Sequence, residues 1–447
     1  MASPDPVRPL LTPRLDLVEA DSVIDLERQL RAAERLPAAE LQARQLAQLA
    51  RLARHFERQS PAFRQRLRSA RLSANALSRM HGFRSLAPIS RRWLQDAQGL
   101  FADSLPDGHG PTQTMSTSGS TGEPVVVRRT RVSQLLWTAN VLRGHRWRQT
   151  DFARSLASVR SASLEARHLP SWGLPADLVA RTGRSLALPV IWDAQRLHAA
   201  LREFGPGNLV TYPTTLAALV DLVGTHGPFL APDAVVRTVG ETVSDTLRQR
   251  CLSVLGVRLW DTYSSQEFGH IAHECPDHDA YHVAGESLIV EVLRPDGKRC
   301  APGEIGQLVI TDLHNFATPL IRYAIGDYAE AAAPCPCGRG TLTLKRILGR
   351  ERNMLVRPDG TRFWPPVGLI DYGGLAPVRQ FQYVQHAPDR MEVRCAVTRP
   401  VTAAEEAALR AEIQRALDFP FGVSFTWFDT DLPRSPAGKF EEFVRQF

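Results

Sequence analysis

Seven small residues in a row, Ser116-Thr117-Ser118-Gly119-Ser120-Thr121-Gly122, stand before Glu123-Pro124, and none of them packs a core well. Such a run can wrap a polyanion, because glycines let backbone N–H groups approach closely and hydroxyls add donors. It is not a P-loop of the Gly-x4-Gly-Lys-Ser/Thr type, since the lysine is missing. Taken alone, a plain flexible loop is the other reading. A second set is Cys275-Pro-Asp-His-Asp-Ala-Tyr-His282 with Cys335-Pro-Cys337-Gly-Arg-Gly340. Two thiolates from one tight turn, plus a cysteine and a histidine from another segment, form a tetrahedral S3N donor set. His270, His273 and His278 are alternative fourth ligands, and four unrelated buried residues are the plain alternative. A third signal is scarcity. Of 54 basic residues only Lys298, Lys345 and Lys439 are lysines. Chemistry that needs a compact ammonium therefore has three candidates.

These residues need elements to hold them. Leu41, Leu46, Leu49, Leu52 and Phe56 recur at helical spacing with Arg and Gln between them. Ser22 is read as the cap of a helix before it, and Ser60-Pro61 as the cap and first residue of a helix after it. From about residue 111 short β-rich runs, at 113–117, 209–212, 235–239, 258–262, 288–293 and 307–311, alternate with amphipathic stretches at 214–223 and 245–255. That alternation predicts an α/β fold with an at least partly parallel sheet. Arg294-Pro-Asp-Gly297, Ala301-Pro-Gly303 and Arg357-Pro-Asp-Gly360 are turn signals. The predicted organisation is a helical lead-in over 1–110, a main part over 111–348 and a small α+β domain over 349–447.

With 447 residues, the chain is long enough for a large domain and a smaller one. Its 43% hydrophobic and 23% charged residues are those of a globular chain, not a disordered one. No apolar run approaches the roughly 20 residues needed to span a bilayer, so no membrane partner is expected. The first eleven residues hold no apolar signal core, so a secretory leader is not expected either. A cytoplasmic setting follows, with the six cysteines as thiols or metal ligands. The net charge of +7 is spread along the chain. Its densest stretch, 28–71, reads as a solvated amphipathic helical face, and no recognition motif accompanies the charge, which argues against nucleic acid.

Three further segments join the Ser118–Gly122 loop: Asp261-Thr-Tyr263-Ser-Ser-Gln-Glu267-Phe-Gly269, Pro319-Leu-Ile-Arg322-Tyr-Ala-Ile-Gly-Asp327 leading to Gly349-Arg350, and Pro433-Arg-Ser-Pro-Ala-Gly438-Lys439-Phe440. In order and rough spacing the four resemble the motifs of the adenylate-forming superfamily, over nearly the whole chain. The likeness is to its phenylacetate–CoA ligase-like, CapK-like branch. The resemblance implies a large N-terminal domain of layered sheets and helices and a small mobile C-terminal domain. It implies ATP-dependent activation of a carboxylic acid, aryl acids being favoured by the branch, to its acyl-AMP. Transfer to the thiol of CoA, or of a carrier protein's phosphopantetheine, would follow. An amine or other nucleophile as acceptor and a non-catalytic relative are the alternatives, and a homodimer is compatible with it. By resemblance Ser118, Gly119, Ser120, Thr121 and Gly122 cradle phosphates, and Tyr263 lies against adenine with Gly240 and Glu241 flanking it. Glu267 holds Mg²⁺, a hard cation suited to carboxylate oxygen. Asp327 accepts from the ribose hydroxyls, Arg350 contacts ribose or phosphate at a hinge, and Lys439 meets the charge at the α-phosphate. Cys275, His282, Cys335 and Cys337 hold a structural Zn²⁺. Three positions depart from the family pattern: Glu123 for a lysine, Gln266 for Thr or Ser, and Ser264 for Gly.

Overall fold

The computed structural model describes residues 11–14, 16, 18–116, 124–161, 164–364, 370, 372–430, 432, 440 and 442–447. They form two units. One takes the chain up to Asp151 with Gly173–Arg181 and Thr262–Ile347; the other takes Phe152–Trp172, Thr182–Asp261 and Leu348–Phe447.

In the first unit, helices Glu19–Ala33, Ala38–Gln59 and Pro61–Ser69 lead the chain. The apolar stripe read from the sequence does bury: Leu49, Leu52 and Phe56, with Leu46 packed against them, share one core with Phe63 and Phe83 and with Ile289, Leu313 and Ile321 of the sheet region, and Leu41 is buried as well. Each such side chain contributes about 1.5–3 kcal/mol on burial. Ser60 caps as predicted, its Oγ accepting from the Phe63 N–H at 3.3 Å with Pro61 at the first position. Ser22 does not. The helix begins at Glu19, and the Ser22 hydroxyl donates to the Arg14 carbonyl at 2.8 Å. A tertiary partner has replaced the capping role. The strands run in the order Leu288–Leu293, Ile305–Asp312, Tyr323–Ala331, Thr343–Arg350, Tyr281–Val283, Gly269–Glu274, Leu259–Ser265. The first three form an antiparallel meander, with the predicted turn at Gly297 between the first two.

In the second unit, Val235–Val239, Asn208–Thr211, Leu156–Ser161 and Ser185–Pro189 are parallel neighbours, with Arg167–Leu169 antiparallel at the edge. Helices Ala194–Phe204, Pro213–His226 and Asp245–Leu255 bury Leu197, Leu201, Leu216, Leu219 and Leu247 in the same core as Leu209 and Val236. The last hundred residues add a four-stranded sheet in the order Gly422–Phe428, Arg390–Val397, Val378–Ala387, Phe443–Arg445. Helix Ala403–Leu417 packs Leu409, Ile413 and Leu417 into one core with Tyr383 and Val393 of that sheet. The protein is therefore mixed α/β with a smaller α+β part at its C-terminal end. No helix among the described residues is long and apolar enough to cross a membrane.

Candidate active site

The Tyr263 motif lies where strand Leu259–Ser265 turns into its antiparallel neighbour Gly269–Glu274. Gly269 has φ +73, and a Cβ there would stand 2.9 Å from Trp137 Cγ. Only glycine fits the conformation and the space. At the head of the turn, the Phe268 N–H donates to Ser265 Oγ at 3.2 Å. Glu267 is held there at 2% exposure, and no described residue offers its carboxylate an ion pair or hydrogen bond. A buried carboxylate left this way suits a cation. Gln266 is exposed beside it. Asp327 comes from strand Tyr323–Ala331, and the Tyr263 hydroxyl donates to its Oδ2 at 2.6 Å across 64 residues of sequence. This short charge-assisted bond fixes the ring and the carboxylate relative to each other.

In the second unit, Gly240 follows strand Val235–Val239 with φ +80. Glu241 next to it is engaged on both oxygens. Its Oε2 accepts from Thr214 N–H at 3.1 Å and Thr214 Oγ1 at 2.8 Å, and its Oε1 accepts from the Phe440 N–H at 3.0 Å. Arg350 ends strand Thr343–Arg350, half-buried, just after Gly349, whose φ is +91. Ser118, Gly119, Ser120, Thr121, Gly122 and Lys439 lie outside the described residues. The strands beside that loop, Thr112–Ser116 and Val126–Thr130, pair antiparallel.

The cysteine and histidine set comes together. Cys275 Sγ lies 3.9 Å from Cys335 Sγ, and Cys337 Sγ lies 3.3 Å from His282 Nε2. All four donor atoms fall within 4.8 Å of one another. A tetrahedral zinc with Zn–S of about 2.3 Å and Zn–N of about 2.0–2.1 Å needs S···S near 3.8 Å and S···N near 3.5 Å. The donors fit that ion, and the sulfurs are too far apart for a disulfide of about 2.05 Å. Burial, with Arg339 and Arg143 nearby, pushes the His282 imidazole down to about 4. The ring is then neutral near pH 7, the form that ligates. Its Nδ1 faces Thr341 Oγ1 at 3.3 Å, which orients it. Arg35 donates to the Cys337 carbonyl at 2.8 Å. Gly340 lets the turn close: a Cβ there would meet the Leu36 carbonyl oxygen at 1.8 Å. Of the alternatives, His273 is placed opposite His282 on the paired strand but outside the donor group.

No family model matches the chain. The phenylacetate–coenzyme A ligase of Thermus thermophilus is 26% identical over 341 residues, 72% of this chain and 73% of that protein. Protein CapK of Staphylococcus aureus is 25% identical over 254 residues, 54% of this chain and 53% of that protein. Among solved structures, a 2-hydroxyisobutyryl-CoA ligase in the postadenylation state, in complex with 2-HIB-AMP, matches with a TM-score of 0.70 at 18% identity, over 93% of this chain and 92% of that one. The chain has the fold of this acyl-CoA ligase, and in sequence it is similar to phenylacetate–CoA ligases and to CapK.

Within this fold, Arg322 of the third motif turns out to be a structural residue. It is 3% exposed, pairs with Glu291 at 2.9 Å, and donates to the carbonyls of Arg84 and Leu86 at 2.7 Å each. It ties the helical lead-in to the sheet. Sequence reasoning passed over Thr214, Thr341 and Arg339. Only Arg339 carried a local signal, its place two residues after Cys337.

Proposed function

We propose that this chain joins a carboxylic acid to ATP as the acyl-AMP and then passes the acyl group to the thiol of CoA. The observation that carries this reading is the Tyr263–Asp327 bond at 2.6 Å, which unites two motifs far apart in sequence. In the first half-reaction the acid's carboxylate oxygen attacks the α-phosphorus and pyrophosphate leaves. In the second a thiol sulfur attacks the acyl carbonyl and AMP leaves. Asp327 accepts from the ribose hydroxyls while Tyr263 presents its ring face to adenine and its hydroxyl to the carboxylate. Ser118 to Gly122 wrap the departing phosphates, and Arg350 contacts ribose or phosphate. Lys439 stabilises charge at the α-phosphate. The part from residue 349 onward turns about a hinge near Gly349 between the two halves. Glu267 would hold Mg²⁺, which neutralises phosphate charge when bound. The test is acid-dependent exchange of labelled pyrophosphate into ATP, across a panel of aryl and alkyl acids, followed by thioester formation with CoA or a phosphopantetheine carrier. Exchange with no thiol product would assign another acceptor. No exchange with any acid would overturn the reading.

Cys275, His282, Cys335 and Cys337 fill all four positions of a zinc site, so the ion would be structural, not catalytic. We expect about one zinc per purified chain. Cys335→Ser with Cys337→Ser should lose that zinc and lower the melting temperature, read by metal analysis and calorimetry. Full zinc retention in the double variant would assign the metal elsewhere.

A further inference from the structure

In the first unit, helix Glu19–Ala33 and the three residues after it run up against the Cys335–Cys337 turn. The Gly340 N–H donates to the Glu34 carbonyl at 3.0 Å, next to the Arg35 bond to the Cys337 carbonyl. The Glu34 carboxylate, 6% exposed, carries the contact inward. It accepts from Trp147 Nε1–H at 3.0 Å, pairs with Arg146, and faces Arg143 at 3.7 Å and Arg339 at 3.9 Å. Trp147 is the last residue of helix Arg131–Trp147, and its ring is the middle layer of a stack. The Arg339 guanidinium lies over that ring at 4.5 Å, and His282 meets it edge-on with ring centroids 5.8 Å apart. Arg339 also places Nη1 3.9 Å from Cys275 Sγ and donates to Asp277 at 3.0 Å. Glu34 is outside the four metal donors, yet it holds the residues packed on them.

We propose that the Cys275, His282, Cys335 and Cys337 centre is a clasp for the N-terminal helix, with Arg339 and Glu34 as positioning residues that couple metal binding to the docking of residues 19–36. The proposal rests on the zinc reading given above. Three thiolates and a neutral imidazole leave a Zn²⁺ centre with one net negative charge. Excess charge in a buried place is costly unless it is compensated. The Arg339 guanidinium stands beside Cys275 to offset it. That guanidinium in turn has two carboxylates near it, Asp277 and Glu34. Asp277 is half-exposed and lies on the segment of the ligands themselves, whereas Glu34 is buried and belongs to the lead-in. Metal donors, arginine, indole and glutamate therefore form one packed line from the turn to the helix. By linkage, whatever the docked helix adds to zinc affinity, bound zinc adds to the docking.

The experiment uses the whole zinc-loaded chain. Zinc affinity is read by competition with a chromogenic chelator, and docking by hydrogen exchange over residues 19–36. Arg339→Gln should weaken zinc binding about 10–100-fold, the range for outer partners of metal ligands. Glu34→Gln, which alters no donor, should weaken it at least about fivefold. The two together should lose less than the product of the single losses, because one acts through the other. Stripping zinc from the wild type should raise exchange over 19–36 more than in strands Leu288–Leu293 and Ile305–Asp312 of the same unit. Wild-type zinc affinity in either variant would overturn the clasp while leaving the zinc reading intact, and so would fully multiplied losses in the double variant. An equal rise in exchange at the helix and at those strands would make the metal a general support and overturn it as well. A wild-type chain that holds no zinc and takes up none would end the zinc reading and the clasp together. Should a variant fail to fold, the exchange pattern of the stripped wild type decides alone.

Discussion

Replacing Lys439 by alanine will slow acyl-AMP formation roughly 10²–10³-fold, the usual loss when one preorganised donor to developing charge is removed. The chain has only three lysines against a large excess of arginine, so an ammonium in the Gly438-Lys439-Phe440 context is a specific choice. Its compact point charge suits the crowded α-phosphate and carboxylate, whereas a guanidinium is longer and flat. Lys439→Arg should therefore recover little. Thioester formation from supplied acyl-AMP should survive in both variants, because the C-terminal part is expected to have turned the lysine away by then. Both halves are assayed by single-turnover release of pyrophosphate and of AMP. Equal loss in the two halves would assign Lys439 to folding. Full activity in both would remove it from the site.

Much of this arrangement was legible in the sequence, for local reasons. Strands Val235–Val239 and Leu288–Leu293 and helix Asp245–Leu255 appear at the predicted residues, since each pairs a clear apolar pattern with a cap or turn at its end. The S3N donors were legible as residue types, and the fold supplies the reason they meet. Three antiparallel strands carry the chain out and back, and then Thr343 pairs opposite His282 on the neighbouring strand, which brings the Cys335–Cys337 turn alongside. Strand Tyr323–Ala331 was hidden because Gly326 and Asp327 are poor strand formers. Pairing with Ile305–Asp312 overrides them. The buried role of Arg322 and the double engagement of Glu241 were not legible. Their partners, Glu291 with the Arg84 and Leu86 carbonyls in one case and Phe440 in the other, are set by topology and not by local pattern.

Glu267→Gln should be nearly as damaging to activity as loss of the lysine, with no loss of stability. The side chain is 2% exposed, and no described residue pairs with its carboxylate. Had Glu267 been half of a structural ion pair, removing its charge would strand the partner and cost about 3–5 kcal/mol. Here no such partner is present among the described residues, so an isosteric neutral amide should leave the melting temperature unchanged or raise it. Acyl-AMP formation should fall by about 10²–10³-fold, the scale of losing one charge-stabilising group. The residual rate should need more magnesium to saturate, because an amide oxygen is a weaker ligand for a hard cation than a carboxylate. Thiol transfer from supplied acyl-AMP should hold near wild type, since the phosphates that share the cation leave in the first half. Calorimetry reads the first of these four, a magnesium titration of pyrophosphate release the next two, and AMP release from supplied acyl-AMP the last. A folded variant with wild-type activity and unchanged magnesium dependence would place Glu267 outside the site, and a lowered melting temperature would make its charge a structural one.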